Sequence, residues 1–571
     1  MQIKVEQVGD VPVIGHLLSE TNLALRVDSV FGRHHLWQGP GVGQTLMGLL
    51  LYILSTGDHR MSHVESWASS LETSLGQILG YPGFKGFHLS DDRLGNLLDL
   101  FSKEGHWSSF LRSSNEELLR VYSLDLETPM DGCGLPVFRM DTTSAQSDRL
   151  ANGLFQSGYN AHKSDLPQLK LAILSADRGN FPLTLGVFSG ERADDGLYMG
   201  VLRQAWDHGL SHKGNLLVGD SKLCNEDNMG TIAQNGNYYL CPMPQKQFSH
   251  AELARCVEWI YEQQEQPEVL KRLAAQHAPG KEKEIAQLME LQARDLSVVL
   301  PDGQSIVHTQ RLIACCPLAR RQKELDSLER RMQQAKADIK ERFIVKRGRK
   351  TLTTEQQGLE TALSILKEHK VEHLFEVIIL PQVPESKGVQ ATLAPIEKSI
   401  EQEKKRCGWR VFATNAPQDK LTAQNAVLLY WDEHLVEQQF HLLLDKCAAL
   451  MPIYLHKQNR AVALCRILFL ALQFSALFQH RLRTNLAKAQ QPFLTDIVPG
   501  NPGTKVRRPT TQAVLARFKN LQLVFIEHPD GQLTCQIKNF KPVHNKILEL
   551  LNVPLNIFLK PFFQRTEDGR T

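Results

Sequence analysis

Three acidic residues lie far apart in the sequence, in contexts that suit metal chemistry. Asp141 follows the apolar run PVFRM, Asp220 follows NLLVG, and Glu437 lies in the helical pattern LLYWDEHLVEQQFHLLL. Carboxylate oxygens are the ligands that hard cations such as Mg²⁺ prefer. Two such ions about 4 Å apart can activate an attacking hydroxyl and stabilise the leaving oxygen of a phosphodiester. The trio therefore predicts two-metal phosphodiester chemistry, with two Mg²⁺ ions as cofactor and Mn²⁺ able to replace them.

Each of these acids also has a structural explanation. A lone Asp after a strand is often a turn residue or a helix N-cap, and a Glu on a helix usually faces solvent. Two acids that each close an apolar run are more than composition leads us to expect. One stripe of the third acid's helix holds five side chains, Tyr430, Glu433, Glu437, His441 and Leu444. Glu433 is therefore a rival to Glu437 as the third ligand.

Short apolar runs in residues 135–220 supply the elements that would position the two aspartates. The runs LPVFRMDTTS, LKLAILSAD and FPLTLGVFSG are separated by Asp, Gly and Pro, which predicts three consecutive strands. Helical spacing follows over residues 193–210, and residues 214–220 return to a strand. This order of strands and helix predicts an α/β domain.

The N-terminal region is predicted to be mainly helical. Residues 1–125 contain a buried-helix pattern at 45–56 and an amphipathic pattern at 90–105. Ser90 is the expected N-cap of the second helix, and Gly105 is its expected stop. Several short helices in a row suit either a recognition module or a packing domain.

Beyond Asp220 the pattern changes. Charged helical stretches are expected in 250–350 and include 319–343, where the sparse apolar positions are typical of a solvated helix or short coiled coil. Further helices are predicted at 421–447 and 459–490. The apolar stretch ALCRILFLALQFSALF in the last of these is interrupted by Arg and Gln, and we interpret it as a core helix rather than a membrane span.

The remaining segments are short. The runs HLFEVIILPQ and WRVFATN are strand-like, and each belongs either to the α/β sheet or to an inserted segment. Residues 501–510 are predicted to be a linker. The tail from residue 511 is predicted to form a helix, two strands and a helix.

Composition is that of a globular protein and does not by itself indicate a nucleic-acid partner. The 571 residues are 42% hydrophobic and 22% charged, with a formal net charge of +3. Phosphate contacts would therefore come from local basic clusters. Two clusters are candidates: KRGRK, with Lys346, Arg347, Arg349 and Lys350, and KVRRPT, with Lys505, Arg507 and Arg508. The first could equally be a solvated helix end.

Cysteine usage and the first residues predict a cytoplasmic protein. The chain has 10 cysteines and no CxxC pair, and scattered thiols are typical of a reducing compartment. We therefore expect no structural zinc site. The opening MQIKVEQVGDVPVIGHLL lacks the basic and apolar regions of a signal peptide, and we expect no membrane partner.

At these residues the sequence resembles bacterial insertion-sequence transposases of the Asp-Asp-Glu class. The most similar branch carries its third acid in a Tyr-x-x-Arg-x-x-x-Glu-x-x-x-x-x-x-Lys signature, and Tyr430 and Glu437 fall in its register. The Asp141 motif with its preceding strand, the FPLTLGVFSG strand and the VGDSK strand end are also similar. So is the helical N-terminal region. The resemblance is best over about 1–250 and 409–490.

The resemblance implies a ribonuclease-H-like α/β core, in which helices flank a mixed sheet. It also implies a helical N-terminal domain and a large insertion between the second Asp and the Glu. The implied domains are 1–125 for DNA-end recognition, 130–249 and 406–500 for the two parts of the core, 250–405 for the insertion, and 501–571 for a small α/β tail.

The same resemblance implies an activity and partners. Asp141, Asp220 and Glu437 would bind two Mg²⁺ ions, and the enzyme would nick transposon ends so that the freed 3′-hydroxyl attacks the other strand or target DNA. The expected partners are double-stranded DNA with terminal inverted repeats and target DNA. Cutting two ends in concert implies a homodimer on the DNA. The expected location is the bacterial cytoplasm, on the nucleoid when bound to DNA.

The basic residues of the signature are replaced. Glu433 occupies the Arg position and Leu444 the Lys position, and Lys446 lies on a different helix face. His441 shares the stripe and is a candidate for part of the lost role. These departures leave two alternatives open: a metal-dependent nuclease without strand transfer, and a catalytically inactive DNA-binding protein derived from a transposase.

Overall fold

The computed structural model of the chain describes residues 2–130, 132–147, 151–158, 165–208, 210, 213–262, 267–273, 282–301, 303–380, 388–432, 439–440, 453, 455, 457–529 and 533–558. The strands in these ranges are β1 Gln2–Glu6, β2 Val137–Gln146, β3 Gln168–Ala176, β4 Phe181–Ser189, β5 Leu216–Gly219, β6 Tyr238–Pro242, β7 Glu268–Leu273, β8 Glu282–Glu290, β9 Arg294–Val299, β10 Ser305–Pro317, β11 Phe375–Leu380, β12 Gln390–Pro395, β13 Arg410–Thr414, β14 Gln522–Glu527 and β15 Leu533–Lys538. The helices are α1 Val11–Glu20, α2 Leu23–Phe31, α3 Val42–Thr56, α4 Val64–Ser69, α5 Glu72–Ile78, α6 Asp91–Phe101, α7 Glu104–Val121, α8 Asp195–Asp207, α9 Glu226–Gln234, α10 His250–Glu262, α11 Leu318–Arg342, α12 Glu355–Glu368, α13 Glu397–Arg406, α14 Ala423–Trp431, α15 Gln458–Lys488, α16 Thr511–Leu515 and α17 Pro542–Leu551.

The chain divides into two compact units. Unit 1 consists of Met1–Leu223, Gln234–Tyr238 and Trp431–Thr571, and unit 2 consists of Cys224–Ala233 and Tyr239–Tyr430. The domain boundaries expected from the sequence stay predictions.

Unit 1 contains four strands that lie side by side in the order β4-β3-β2-β5. β2, β3 and β4 are antiparallel neighbours, whereas β5 runs parallel to β2. Every residue of β3 is buried, as expected for a strand covered on both faces. These are the strands predicted for residues 135–220, and the predicted α/β class with a mixed sheet is confirmed.

Helices pack on both faces of these strands. On one face, Gly200 of α8 lies against the ring of Phe188 in β4. On the other face, Leu171, Ile173 and Leu185 belong to one hydrophobic cluster with α15. Side chains alternate between the two faces along a strand, so the register decides which helix each side chain meets.

Helix α15 is the core helix expected from its apolar stretch. Among the described residues, α15 is the one helix that is long enough and apolar enough to cross a membrane. However, 89% of its most apolar window is buried inside the folded chain. Both of its long polar interruptions donate hydrogen bonds there. Arg466 donates to the carbonyl of Phe101 at 2.9 Å, and Gln473 Nε2 donates to Asn115 Oδ1 at 2.8 Å. Buried polar groups need such partners, and they fix the register of this helix.

A second sheet in unit 1 joins the two ends of the chain. Its order is β1-β14-β15, and all pairs are antiparallel. The tail prediction of helix, two strands and helix is confirmed by α16, β14, β15 and α17. Strand β1 was not predicted, because Ile3 and Val5 are exposed and give no sign of a core-facing side. The expected helix stop at Gly105 is wrong, since α6 ends at Phe101 and Gly105 lies in the first turn of α7.

Asp10, just before α1, gives unit 1 a pH-dependent stability. The residue is 2% exposed, and its Oδ1 accepts a hydrogen bond from Ser55 Oγ at 2.5 Å. Burial raises the pKa of Asp10 to about 7, although the Ser55 bond acts in the opposite direction. The folded chain therefore keeps a proton that the unfolded chain releases near pH 4. We expect stability to fall by about 2–4 kcal/mol as the pH rises from about 4 to 7.

Asp10→Asn should remove this part of the pH dependence, because the amide is neutral at every pH and can still accept from Ser55. Urea unfolding at about pH 5 and about pH 8 measures the difference in stability for both proteins. Asp207→Asn, an exposed acid, is the matched control. An equal pH difference in Asp10→Asn and the natural chain would contradict this assignment.

Unit 2 holds an antiparallel set of strands in the order β6-β13-β10-β8-β7, with β9 paired to β10. The charged helices expected within 250–350 are α10 and α11, and the strands β7 to β10 that lie between them were not predicted. Strand β9, RDLSVV, has one buried residue among exposed and half-buried ones. Such polar strands lack the apolar run from which a strand is recognised.

A hydrophobic cluster of unit 2 forms around α11. This helix confirms the one predicted at 319–343. One side of it is not solvated, because Leu328, Ala335 and Ile339 pack into a cluster with α12, α13 and β11. The predicted strands HLFEVIILPQ and WRVFATN are β11 and β13. The first pairs only with β12 among the described strands, and the second pairs with β10 and β6.

Candidate metal centre and nucleic-acid contacts

Asp141 and Asp220 stand at neighbouring positions on two parallel strands. The register of β2 and β5 runs from Val137 beside Leu216 to Met140 beside Gly219. Asp141 and Asp220 are the next residue on each strand. Neighbouring strands lie about 4.8 Å apart, so the backbones of the two residues lie at the same end of adjacent strands. The Asp141 side chain shares a face with Ile173, whereas the Asp220 side chain accepts a hydrogen bond from Tyr198 of α8.

Asp141 is half-buried because β2 extends beyond the end of its neighbour β5. β5 ends at Gly219, whereas β2 continues to Gln146, and its residues change from buried to half-buried at Asp141. The backbone N–H of Thr142 donates to Asp141 Oδ1 at 2.7 Å. Asp141 pairs with Ile173 of β3, which lies on the α15 face. The carboxylate therefore belongs to that face and is reachable by solvent.

Asp220 is held by two donors on one oxygen. Tyr198 of α8 donates its hydroxyl to Asp220 Oδ1 at 2.7 Å, and the N–H of Lys222 donates to the same oxygen at 2.8 Å. Tyr198 is fully buried. Its ring lies so close to Gly219 that a Cβ there would come within 3.2 Å of it. Gly219 therefore allows the tyrosine to approach the end of β5.

The two aspartates fit the chemistry of a magnesium site. Both supply hard oxygen donors, both are half-buried, and each directly follows the last register pair of β2 and β5, Met140 beside Gly219. Among the described residues no group of three His, Cys, Asp or Glu side chains forms a complete ligand set. Glu437, its rival Glu433, and the supporting candidate His441 lie outside the described residues, as does Leu444 at the Lys position.

Gln439 anchors the chain two residues beyond Glu437. Its side chain is buried and makes three hydrogen bonds: Oε1 accepts from Ser175 Oγ at 2.5 Å, and Nε2 donates to the carbonyl and to Oδ1 of Asn180 at 2.8 Å each. Ser175 pairs with Arg139 in β2, so its side chain lies on the face of Arg139 and Asp141. This anchor is one same-face step, about 7 Å, from the position of Asp141.

Tyr430, the other residue in register with the signature, lies on α14 in unit 2. Its ring packs against Phe412 of β13, with ring centroids 4.8 Å apart. The helix predicted at 421–447 is confirmed for α14 and for Gln439 and Phe440, but α14 ends at Trp431 and Asp432 lies in a turn. Residues 433–438 and 441–447 lie outside the described residues.

The KRGRK cluster forms an exposed loop after α11. Arg349 donates to the carbonyls of Glu341 and Ile344, and Lys346 pairs with the Glu341 carboxylate at 2.8 Å. These two residues therefore close the end of the helix. Arg347 and Lys350 are exposed and are the better placed pair for phosphate contact.

The KVRRPT cluster lies in the segment 501–510, which was predicted as a linker and is an irregular loop between α15 and α16. Val506 forms a β-bridge with Leu494, and Thr510 caps α16. Lys505, Arg507 and Arg508 are exposed. The Lys505 ammonium lies 4.8 Å from the centroid of the Phe493 ring.

A half-buried arginine increases the positive charge of this loop. Arg483 donates to the carbonyls of Pro509 and Arg508 at 3.0 and 3.4 Å. Burial, with a smaller contribution from the charge of Arg508, lowers the pKa of Arg483 to about 10. Cations that destabilise one another in this way attract an anion such as a phosphate.

Three residues near the candidate metal centre were not identified from the sequence. Tyr198 was not singled out within its predicted helix, and Gln439 carries no charge to draw attention. Gly219 did carry a signal, because a glycine inside a strand often marks a close backbone approach. The tertiary partner that makes each residue matter is invisible in a single sequence.

Comparisons with known proteins show no family for this chain. No family model matches it, and no curated protein matches it. Among solved structures, it is similar to piggyBac transposase in a synaptic complex with hairpin DNA, with 9% sequence identity and a TM-score of 0.25, over 88% of this chain and 91% of that one. A likeness this weak carries no argument, and the function has to be inferred from the site itself.

Proposed function

We propose that this chain is a DDE-type DNA transposase, which cuts DNA at the ends of an insertion sequence and transfers the strands to target DNA. The observation that carries the proposal is the adjacent position of Asp141 and Asp220 at the ends of two parallel strands. Two acids that follow adjacent parallel strands at the same end are placed so that one divalent cation could take an oxygen ligand from each.

The proposed core is ribonuclease-H-like. Three antiparallel strands are followed by a helix and a strand parallel to the first of them, with helices on both faces. The sequence pattern predicts this order of elements, and the resemblance implies a ribonuclease-H-like core. The N-terminal helices are the first candidates for end recognition, and unit 2 contains the proposed insertion.

Asp141, Asp220 and Glu437 would bind two Mg²⁺ ions, or Mn²⁺ in their place. Such ions neutralise charge on a phosphodiester and lower the pKa of an attacking hydroxyl. The Gln439 anchor supports the assignment of Glu437, because it ties the neighbouring chain to the face of β3 and β2 that carries Asp141. Asp220, in turn, is oriented by Tyr198 and Lys222.

The proposed substrates are double-stranded DNA ends with inverted repeats and target DNA, with a homodimer acting on paired ends. The test is an assay of the full chain with duplex DNA taken from both sides of its reading frame, in Mg²⁺, Mn²⁺ or EDTA. We expect metal-dependent nicks at inverted repeats and joined products. Nicks without joined products would favour the nuclease, and binding without nicks would favour the inactive DNA-binding protein.

The two basic clusters should contribute salt-dependent DNA affinity. Replacing Lys505, Arg507 and Arg508 by Ala should lower the slope of log affinity against log salt by about 2–3, since each lost phosphate contact removes about 0.9. Arg347→Ala with Lys350→Ala should lower it by about 2. Fluorescence anisotropy with a duplex at several salt concentrations measures the slope. Lys398→Ala, an exposed lysine on α13, is the control, and slopes equal to the control would exclude that cluster.

A further inference from the structure

The Tyr198 hydroxyl is directed at one oxygen of one acid of the metal centre. We propose that Tyr198 is a positioning residue, which holds Asp220 Oδ1 so that Oδ2 is the oxygen offered to a divalent cation. This inference rests on the proposed function, because it takes Asp220 as a metal ligand. It adds a residue that the resemblance does not assign.

The geometry of Asp220 distinguishes its two oxygens. Oδ1 accepts from the Tyr198 hydroxyl at 2.7 Å and from the Lys222 N–H at 2.8 Å. Within the described part of the chain, the structure gives Oδ2 no hydrogen bond. Two donors occupy the usual acceptor directions of a carboxylate oxygen, so the second oxygen is the one left for a cation. A carboxylate fixed in this way is preorganised for ligation, which is the role of outer hydrogen bonds in metal sites.

Tyr198 is itself rigid. Its side chain is fully buried, and α8 packs on β3 and β4. One turn before Tyr198, Asp194 forms an ion pair with Lys170 of β3, with Asp194 Oδ1 and Lys170 Nζ 2.5 Å apart. The missing side chain of Gly219 lets the ring lie against β5. The hydroxyl therefore has a fixed position relative to the strand end, which a solvent-exposed donor would not have.

Tyr198→Phe tests the inference, because it removes the hydroxyl and keeps the buried ring. We expect Mn²⁺ binding to the full chain, measured by calorimetry without DNA, to weaken about tenfold, as outer hydrogen bonds to metal ligands typically contribute 10–100-fold. The rise in melting temperature caused by Mn²⁺ should shrink in parallel. The melting temperature without metal is measured beside it, so that a loss of folding is recognised separately.

A matched control comes from another buried tyrosine. Tyr52 donates its hydroxyl to Asp58 Oδ2, also at 2.7 Å, and is 3% exposed. Tyr52→Phe makes the same chemical change at an acid outside the centre, and should leave Mn²⁺ affinity unchanged. Gly219→Ala is a second variant. Its methyl group would come within 3.2 Å of the Tyr198 ring and 3.0 Å of Leu223 Cδ2, so these neighbours must shift slightly, and it should also weaken Mn²⁺ binding.

The outcomes separate this inference from the proposed function. Asp220→Asn should abolish binding at this centre. If it does so while Tyr198→Phe binds Mn²⁺ as tightly as Tyr52→Phe, the positioning role is overturned and the metal centre stands. If Asp220→Asn also leaves binding unchanged, both the positioning role and the metal centre are overturned.

Discussion

Asp141→Asn and Asp220→Asn should each abolish DNA strand cleavage while DNA binding persists. The amide removes the negative charge that holds a cation, and its size is the same, so the strand ends should keep their structure. Metal-ion stabilisation of a phosphoryl transition state contributes several kcal/mol, and each 1.36 kcal/mol is tenfold in rate. We therefore expect losses of about a thousandfold or more. Cleavage of end DNA, with binding followed by gel shift, measures both properties.

The comparison with other acids makes this result specific. Asp207→Asn removes an exposed carboxylate at the end of α8 and should cleave normally. Glu437→Gln should be as inactive as the two aspartate variants, and Glu433→Gln should be milder. Near-normal cleavage by either aspartate variant would remove that residue from the centre. A fully inactive Glu433→Gln would show that the third ligand had been assigned to the wrong glutamate.

Arg139→Met should destabilise unit 1 by about 3–5 kcal/mol, because it leaves a buried carboxylate without its counter-ion. Arg139 Nε lies 2.5 Å from Asp177 Oδ1, and the two side chains are only 2% and 6% exposed. Arg139 stands two residues before Asp141 on the same face of β2, so the pair also stabilises the strand that carries the acid. Urea unfolding followed by circular dichroism measures the loss.

Two further variants test the cause. Arg139→Met combined with Asp177→Leu should recover most of the lost stability, since an apolar pair can replace a buried ion pair at little cost. Arg112→Met breaks a pair with Glu116 whose side chains are 62% and 64% exposed, and should change stability by less than about 1 kcal/mol. Equal losses in Arg139→Met and Arg112→Met would show that burial of the Asp177 charge has no special cost.

The strands that carry the aspartates could be predicted because their signal is local. Each run is apolar, short and closed by a polar residue, so β2 and β5 and the acids at their ends follow from periodicity. Their adjacency could not be derived in the same way. Nothing between Met140 and Gly219 states that these two residues will pair, since parallel register is set by the packing of the whole sheet.

Strands that consist largely of exposed residues were not predicted from the sequence. β9 and β1 have few buried positions, so their pattern does not differ from that of a loop or a charged helix. Gly105 illustrates the opposite error, because a glycine near a helix end was read as a stop although it opens the next helix. The segment 501–510 is a loop as predicted, but the β-bridge from Val506 to Leu494 could not be predicted, because it is a contact outside that segment.

The pairing of β1 with β14 constrains how the protein can be made. β1 lies at residues 2–6 and its partner at residues 522–527, so almost the entire chain must leave the ribosome before the pair can form. At ordinary translation rates, β1 therefore lacks its partner β14 for roughly half a minute to two minutes. The three-stranded sheet therefore forms late in biosynthesis, and a prematurely terminated chain would lack the strand that completes it.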